Sequence, residues 1–153
     1  MHTVELLPSA ELDSRVRNLW ALLASSGLPS LGAHPHATNR PHLTVVTASS
    51  LAGLPPLELP LAAKLTGIRM LNRALVWTVE PSPALHALHS SVWSSIGGWP
   101  PPEEFVPHLS LALRVPPEAQ PAALDLLADV SPMSGRFESA RTYDTETRTV
   151  RDL

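Results

Sequence analysis

Two short segments of this chain repeat one pattern. Pro41-His42-Leu43-Thr44-Val45 and Pro107-His108-Leu109-Ser110-Leu111 each read proline, histidine, leucine, small hydroxyl, aliphatic, and they lie 66 residues apart, from position 42 to position 108. In a strand, side chains alternate between faces. His42 and Thr44 therefore share one face, as do His108 and Ser110, while Leu43, Val45, Leu109 and Leu111 point to the opposite, core face.

The flanks repeat as well. Residues 3–7 read as a short apolar strand. Ser9 is placed to cap the helix that follows, whose apolar set Leu12, Val16, Leu19, Trp20 and Leu23 falls on one helical face, with Gly27 as its stop. Residues 28–39, rich in Pro, Gly and His, read as a loop, and residues 40–47 as the first histidine strand. Residues 48–56 read as a loop. Residues 57–65 alternate as a strand that Pro60 would confine to an edge, and it could pair as a hairpin with a strand over 74–79. Ser82-Pro83 is a helix start, with Leu85, Leu88, Val92, Trp93 and Ile96 as the buried stripe and Gly97-Gly98 as its end. A proline-rich loop, 99–104, leads to a second histidine strand over 105–114. A helix over 117–129, with Leu124, Leu127 and Val130 facing inward, and two closing strands over 135–153 complete the chain. Strand, helix and histidine strand thus occur twice, which predicts two similar lobes with the histidine strands central. A parallel α/β sheet would also interleave strands and helices, but no Gly-rich phosphate loop follows any strand.

The 153 residues suit one domain, 1–153. At 44% hydrophobic and 16% charged the chain can build a core and is not disordered. Its 17 prolines favour short elements joined by stiff loops. The absence of cysteine excludes disulfides, thiolate metal sites and cysteine nucleophiles. No signal segment opens the chain and no apolar run approaches a membrane span, so a cytoplasmic protein with no membrane partner is expected. A net charge of −3 argues against an extended nucleic-acid surface but not against a small anionic ligand held by a few groups.

Histidine can give or take a proton near neutrality. Two of them, one neutral and one protonated, can deprotonate a nucleophile and protonate a leaving oxygen in one step. Hydroxyls two residues along can donate to phosphoryl oxygens as charge grows there. The paired His-aliphatic-Thr/Ser-aliphatic motifs resemble those of the 2H phosphoesterase superfamily, in particular its bacterial 2′-5′ RNA ligase-like, RNA 2′,3′-cyclic phosphodiesterase branch, and the order of elements is similar over nearly the whole chain. The resemblance implies an α+β, bilobal fold of two mainly antiparallel sheets related by a pseudo-twofold axis, with helices outside and a central cleft. It implies that His42 and His108 are catalytic and that Thr44 and Ser110 bind the substrate phosphate. It further implies hydrolysis of a 2′,3′-cyclic nucleotide or RNA-terminal cyclic phosphate to a 2′-phosphate, with 2′-5′ RNA ligation as a related activity. Neither cofactor nor metal is called for, and a monomer acting on a small nucleotide or RNA end is the expectation. The short, proline-rich stretch after the first motif departs from relatives that carry a helix there.

Further contacts are open to Arg40, which lies two residues before His42, and to Arg114, six after His108, if the strands extend that far; solvated strand ends are the plainer reading. Trp99 could stack on a base or cover the core. Tyr143 could reach the cleft or pack in the sheet. Trp20, Trp77 and Trp93 read as core, and His86 and His89 as surface residues of a helix. His34 and His36 with His42 would make three metal ligands, but no recognised zinc spacing accompanies them. Three functions therefore stand side by side: a cyclic phosphodiesterase, a nucleotide- or RNA-binding module that kept the cleft without useful turnover, and a histidine-metal hydrolase.

Overall fold

The computed structural model describes all residues 1–153. Ten elements follow one another: β1 (His2–Pro8), α1 (Ala10–Ser25), β2 (Leu43–Ala48), β3 (Leu61–Leu71), β4 (Ala74–Val79), α2 (Pro83–Ile96), β5 (His108–Ala112), α3 (Gln120–Leu126), β6 (Met133–Asp144) and β7 (Thr149–Asp152). Every strand pairing is antiparallel, in the order β2-β1-β6-β3-β4-β5, with β7 also on β6. The two expected lobes are present, each a histidine strand, a partner strand and a third strand. They are fused into one sheet because β6 is long enough to serve both. Its first half pairs with β3 over Met133–Phe137 and its second half with β1 over Phe137–Asp144. The histidine strands are the two ends of this hydrogen-bonded path, and the sheet curls until β2 and β5 meet across the middle of the molecule.

One apolar cluster runs through both lobes, joining Val4, Leu6, Leu43 and Val45 to Trp77, Leu109 and Leu111. Each leucine fully buried there contributes roughly 1.5–3 kcal/mol. The helices tie the lobes crosswise. Trp20 of α1 is buried in the core as expected, and its Nε1–H also donates to the Ser110 carbonyl of β5 at 3.1 Å. From the other side, the loop before β5 clasps β2: Thr47 N–H donates to the Trp99 carbonyl at 2.8 Å, and Trp99 N–H to the Thr47 carbonyl at 2.9 Å. Gly98 makes that approach possible. Its φ is +93°, and a Cβ there would collide with the Thr47 carbonyl oxygen.

Several boundaries differ from the sequence reading, and proline explains most of them. Residues 57–60 are not a strand. β3 begins directly after Pro60 and is bonded on both sides, by β6 and β4, so it is no edge; a residue without an N–H cannot enter such a strand. β2 and β5 begin only after Pro41 and Pro107. β5 stops at Ala112, and Arg114, at φ +53°, turns the chain away. The helix expected over 117–129 is a 3₁₀ turn, Pro117–Ala119, followed by the seven-residue α3, in which Ala123 is buried and Leu124 only partly so. Ser9 precedes α1 but its side chain caps nothing, whereas Ser82 accepts from Leu85 N–H at 3.2 Å as its position predicts.

The buried stripe of α2 is Leu85, Leu88, His89 and Val92; Trp93 and Ile96 are only partly buried. His89 is thus no surface residue. It is 0% exposed, stacks on Phe105 with ring centroids 4.0 Å apart, and donates from Nε2 to the Pro100 carbonyl at 3.0 Å. Its Nδ1 has no partner. Burial, opposed by the Pro100 bond and aided by the nearby His86, pushes its pKa below the ordinary 6.5. The unfolded chain therefore takes up this proton at a higher pH than the folded chain does. The stability that neutral His89 contributes is present above about 6.5 and is lost as the pH falls toward the folded value. Thermal unfolding between pH 7 and 5 should show the melting temperature falling with acidification, and His89→Leu should flatten that slope, leaving the part due to other groups. An unchanged slope would show that His89 does not titrate with folding.

Candidate functional site

The two histidines are held the same way. His42 Nδ1–H donates to the Arg40 carbonyl at 2.8 Å, and His108 Nδ1–H to the Val106 carbonyl at 2.7 Å. A carbonyl only accepts, so each Nδ1 carries the hydrogen and each Nε2 is left as the reactive nitrogen. The intervening Pro41 and Pro107 restrict the preceding residues to extended backbone, which sets those carbonyls beside the rings. His42 stands one residue before β2 and His108 opens β5.

Register places the rest of the site. On the first lobe Thr44 lies opposite Glu5 of β1, and Glu5 opposite Arg141 of β6. On the second, Ser110 lies opposite Val76 of β4, and Val76 opposite Arg69 of β3. Directly paired residues share a face, and none of these six belongs to the apolar cluster on the other face. The strands that carry the two hydroxyls, β2 and β5, approach each other in the fold. Thr44 and Ser110 are partly exposed, and their hydroxyls make no bond within the chain.

The electrostatics of the two halves differ. Burial first of all pushes the His108 pKa below 6.5; its Val106 bond opposes this, and the charges of His42 and Arg69 lower it further. Beside His42 stands a carboxylate instead: Glu5 Oε2 is 3.6 Å from His42 Nε2. Glu5 is 3% exposed and Arg141 5%. Arg141 Nε donates to Glu5 Oε1 at 2.7 Å, its Nη2 to the Thr38 carbonyl at 2.8 Å, and Thr3 Oγ1 to Glu5 Oε2 at 2.6 Å. Arg141 thereby anchors both the carboxylate under His42 and the loop that leads to it.

Glu5, Arg141 and Arg69 escape a motif-based reading. The available signal is a carboxylate in the middle of the otherwise apolar segment Val4-Glu5-Leu6-Leu7, where an unpaired charge could not be buried. Of the other candidates, Tyr143 lies two residues beyond Arg141 and so on the same face. Arg40 precedes the strand and contributes its carbonyl, with no side-chain partner; Arg114 lies past the end of β5 and leaves the motif face. Trp99 is 60% exposed and covers no core. His34 and His36 sit on the exposed loop, His36 bonded to Thr38, and no three His, Asp or Glu side chains cluster as a metal site would need. A separate recess between residues 56–62 and α2 contains none of the motif residues.

Fold and element order define a two-lobed α+β protein of the 2H phosphoesterase type. Structural likeness shows the same fold over the full length. E. coli LigT in its apo form aligns with a TM-score of 0.55 at 15% identity, covering 99% of this chain and 92% of that one. The MHV ns2 PDE domain aligns with a TM-score of 0.53 at 14% identity, covering 99% and 97%. No curated protein sequence matches significantly. Residues 46–149 match the family model of the 2′-5′ RNA ligase superfamily, and the chain belongs to that superfamily. The matched span includes His108 and Ser110 and begins just after His42 and Thr44, so the first motif stands on its geometry. No helix is long and apolar enough to cross a membrane.

Proposed function

We propose that this protein is a cyclic phosphodiesterase that opens a nucleoside 2′,3′-cyclic phosphate, free or at an RNA end, to the 2′-phosphate. The observation that carries the reading is the pair of free Nε2 nitrogens, each oriented by its own backbone carbonyl and each accompanied by an unbonded hydroxyl. In this reading His108, whose charged form burial disfavours, is the base. Its Nε2 takes a proton from water as the oxygen attacks phosphorus. The P–O3′ bond breaks, and the 3′-oxygen takes the proton from His42 Nε2, which in its protonated state has the Glu5 carboxylate beside it. Thr44 and Ser110 donate to the non-bridging oxygens. The same steps, with an RNA 5′-hydroxyl in place of water as the nucleophile, would form a 2′-5′ linkage and free the 3′-hydroxyl. A binding module without turnover has no use for two oriented imidazoles with free Nε2 atoms, which favours the enzyme.

The test is phosphorus NMR of products from 2′,3′-cyclic AMP, with EDTA present, across pH. The expected outcome is the 2′-phosphate and a bell-shaped rate profile, whose two limbs belong to the coupled pair and not to single residues. A 3′-phosphate would mean that the ribose lies reversed in the cleft, with the 2′-oxygen as leaving group. A monotonic profile would remove the two-histidine mechanism, and loss of turnover on chelation would move the reading to a metal hydrolase.

A further inference from the structure

The two lobes carry the same three-residue row, hydroxyl, centre, arginine: Thr44–Glu5–Arg141 in one and Ser110–Val76–Arg69 in the other. The rows differ at the centre. In the first, Glu5 neutralises Arg141, and both are buried. In the second, Val76 has no charge to offer, and Arg69 is exposed with neither a carboxylate nor a hydrogen-bond partner. We propose that Arg69 completes its row by binding a phosphate group of the substrate in the cleft beside Ser110 and His108.

Distance and chemistry agree. Arg69 and Ser110 are two strand spacings apart, about 10 Å between Cα atoms, a gap that an arginine side chain and a serine hydroxyl span with room for a phosphate between them. The centre of the row is a short aliphatic residue over which the long side chain can lie. A guanidinium keeps its proton at any working pH, so it supplies charge and a two-pronged hydrogen bond without competing in the proton transfers. In the other lobe the arginine of the row, Arg141, is already paired with Glu5. Of the two rows, only the second offers an unpaired arginine, while the first holds a carboxylate next to His42.

This inference rests on the phosphodiesterase reading for its ligand class but is tested by binding. Calorimetry with 2′-AMP and with adenosine 2′,5′-bisphosphate should be run on the wild-type protein, Arg69→Gln, Arg69→Lys and, as a control, Arg73→Gln on the exposed β3–β4 turn. Loss of one charge-assisted contact is expected to weaken binding about 10–100-fold in Arg69→Gln, with partial recovery in Arg69→Lys and no change in Arg73→Gln. Equal losses for both ligands put Arg69 on the reacting phosphate; a loss confined to the bisphosphate puts it on a second one; either supports the proposal. Unchanged affinity in Arg69→Gln, an equal loss in Arg73→Gln, or no binding by the wild-type protein overturns it. A wild-type protein that binds through Arg69 yet never turns over 2′,3′-cyclic AMP would retire the catalytic reading and leave this one standing.

Discussion

Replacing His108 or His42 by alanine is expected to lower turnover of 2′,3′-cyclic AMP by about 10²–10⁴-fold each, because each imidazole makes a different proton transfer in the same step. The double variant should be little worse than the poorer single one, since groups acting as a unit do not contribute additively. Thr44→Ala and Ser110→Ala should cost less, about 10–10³-fold, the scale of one lost oxyanion donor. Neither ring belongs to the apolar core, and each Nδ1 bond is to the chain's own backbone two residues away. The variants should therefore keep the wild-type circular dichroism spectrum. A folded histidine variant with near-normal rates would end the assignment of that residue.

Glu5→Val is expected to be the most destabilising single change at the site. It gives the first lobe the centre that the second already has, but here the arginine is buried. Arg141 would be left as an uncompensated charge, which costs about 3–5 kcal/mol and, in a chain of this size, roughly 6–20 °C of melting temperature. The loss should spread to the loop before His42, because Arg141 also holds the Thr38 carbonyl. A Glu5→Val, Arg141→Val double variant should regain much of the stability, since a well-packed apolar pair can replace a buried ion pair. Chemical denaturation of the three variants separates the cases. A Glu5→Val midpoint equal to that of the wild type would mean that the pair contributes nothing, and a double variant less stable than either single one would mean that packing, not charge, is what these residues supply.

The strands and helices that follow from period and punctuation are mostly where the pattern places them: α1 by its i, i+4, i+7, i+8 stripe, α2 by Ser82-Pro83 and Gly97-Gly98, β4, and the closing pair β6 and β7. The hairpin partner of β4 is displaced, since β3 starts at Leu61 and runs on to Leu71, past its expected end at residue 65. Errors gather where proline and exposure decide. Pro60, Pro41 and Pro107 each mark the start of a strand and not its interior, and Arg40 and Arg114 fall off the motif face for that reason and because β5 ends early. Helical spacing puts His89 in the stripe of α2 four residues after Leu85, yet a polar side chain in such a place is readily taken for a surface one. Only the Phe105 ring and the Pro100 carbonyl, both brought in by the folded loop, make its burial tolerable.

The duplicated His-x-Thr and His-x-Ser strands by themselves determine that two imidazoles and two hydroxyls will be presented on matching faces, because a strand's side chains alternate whatever it packs against. How the lobes meet is another matter. That β6 joins them, that Trp20 and Thr47 clasp them crosswise, that Glu5 finds Arg141 at a separation of 136 residues while Arg69 finds nothing, all depend on register between distant strands. A shift of one residue would send each of these side chains to the opposite face. Local pattern sets which groups a strand can offer; only tertiary pairing decides which charges are neutralised, which are left free, and so how one histidine comes to differ from the other.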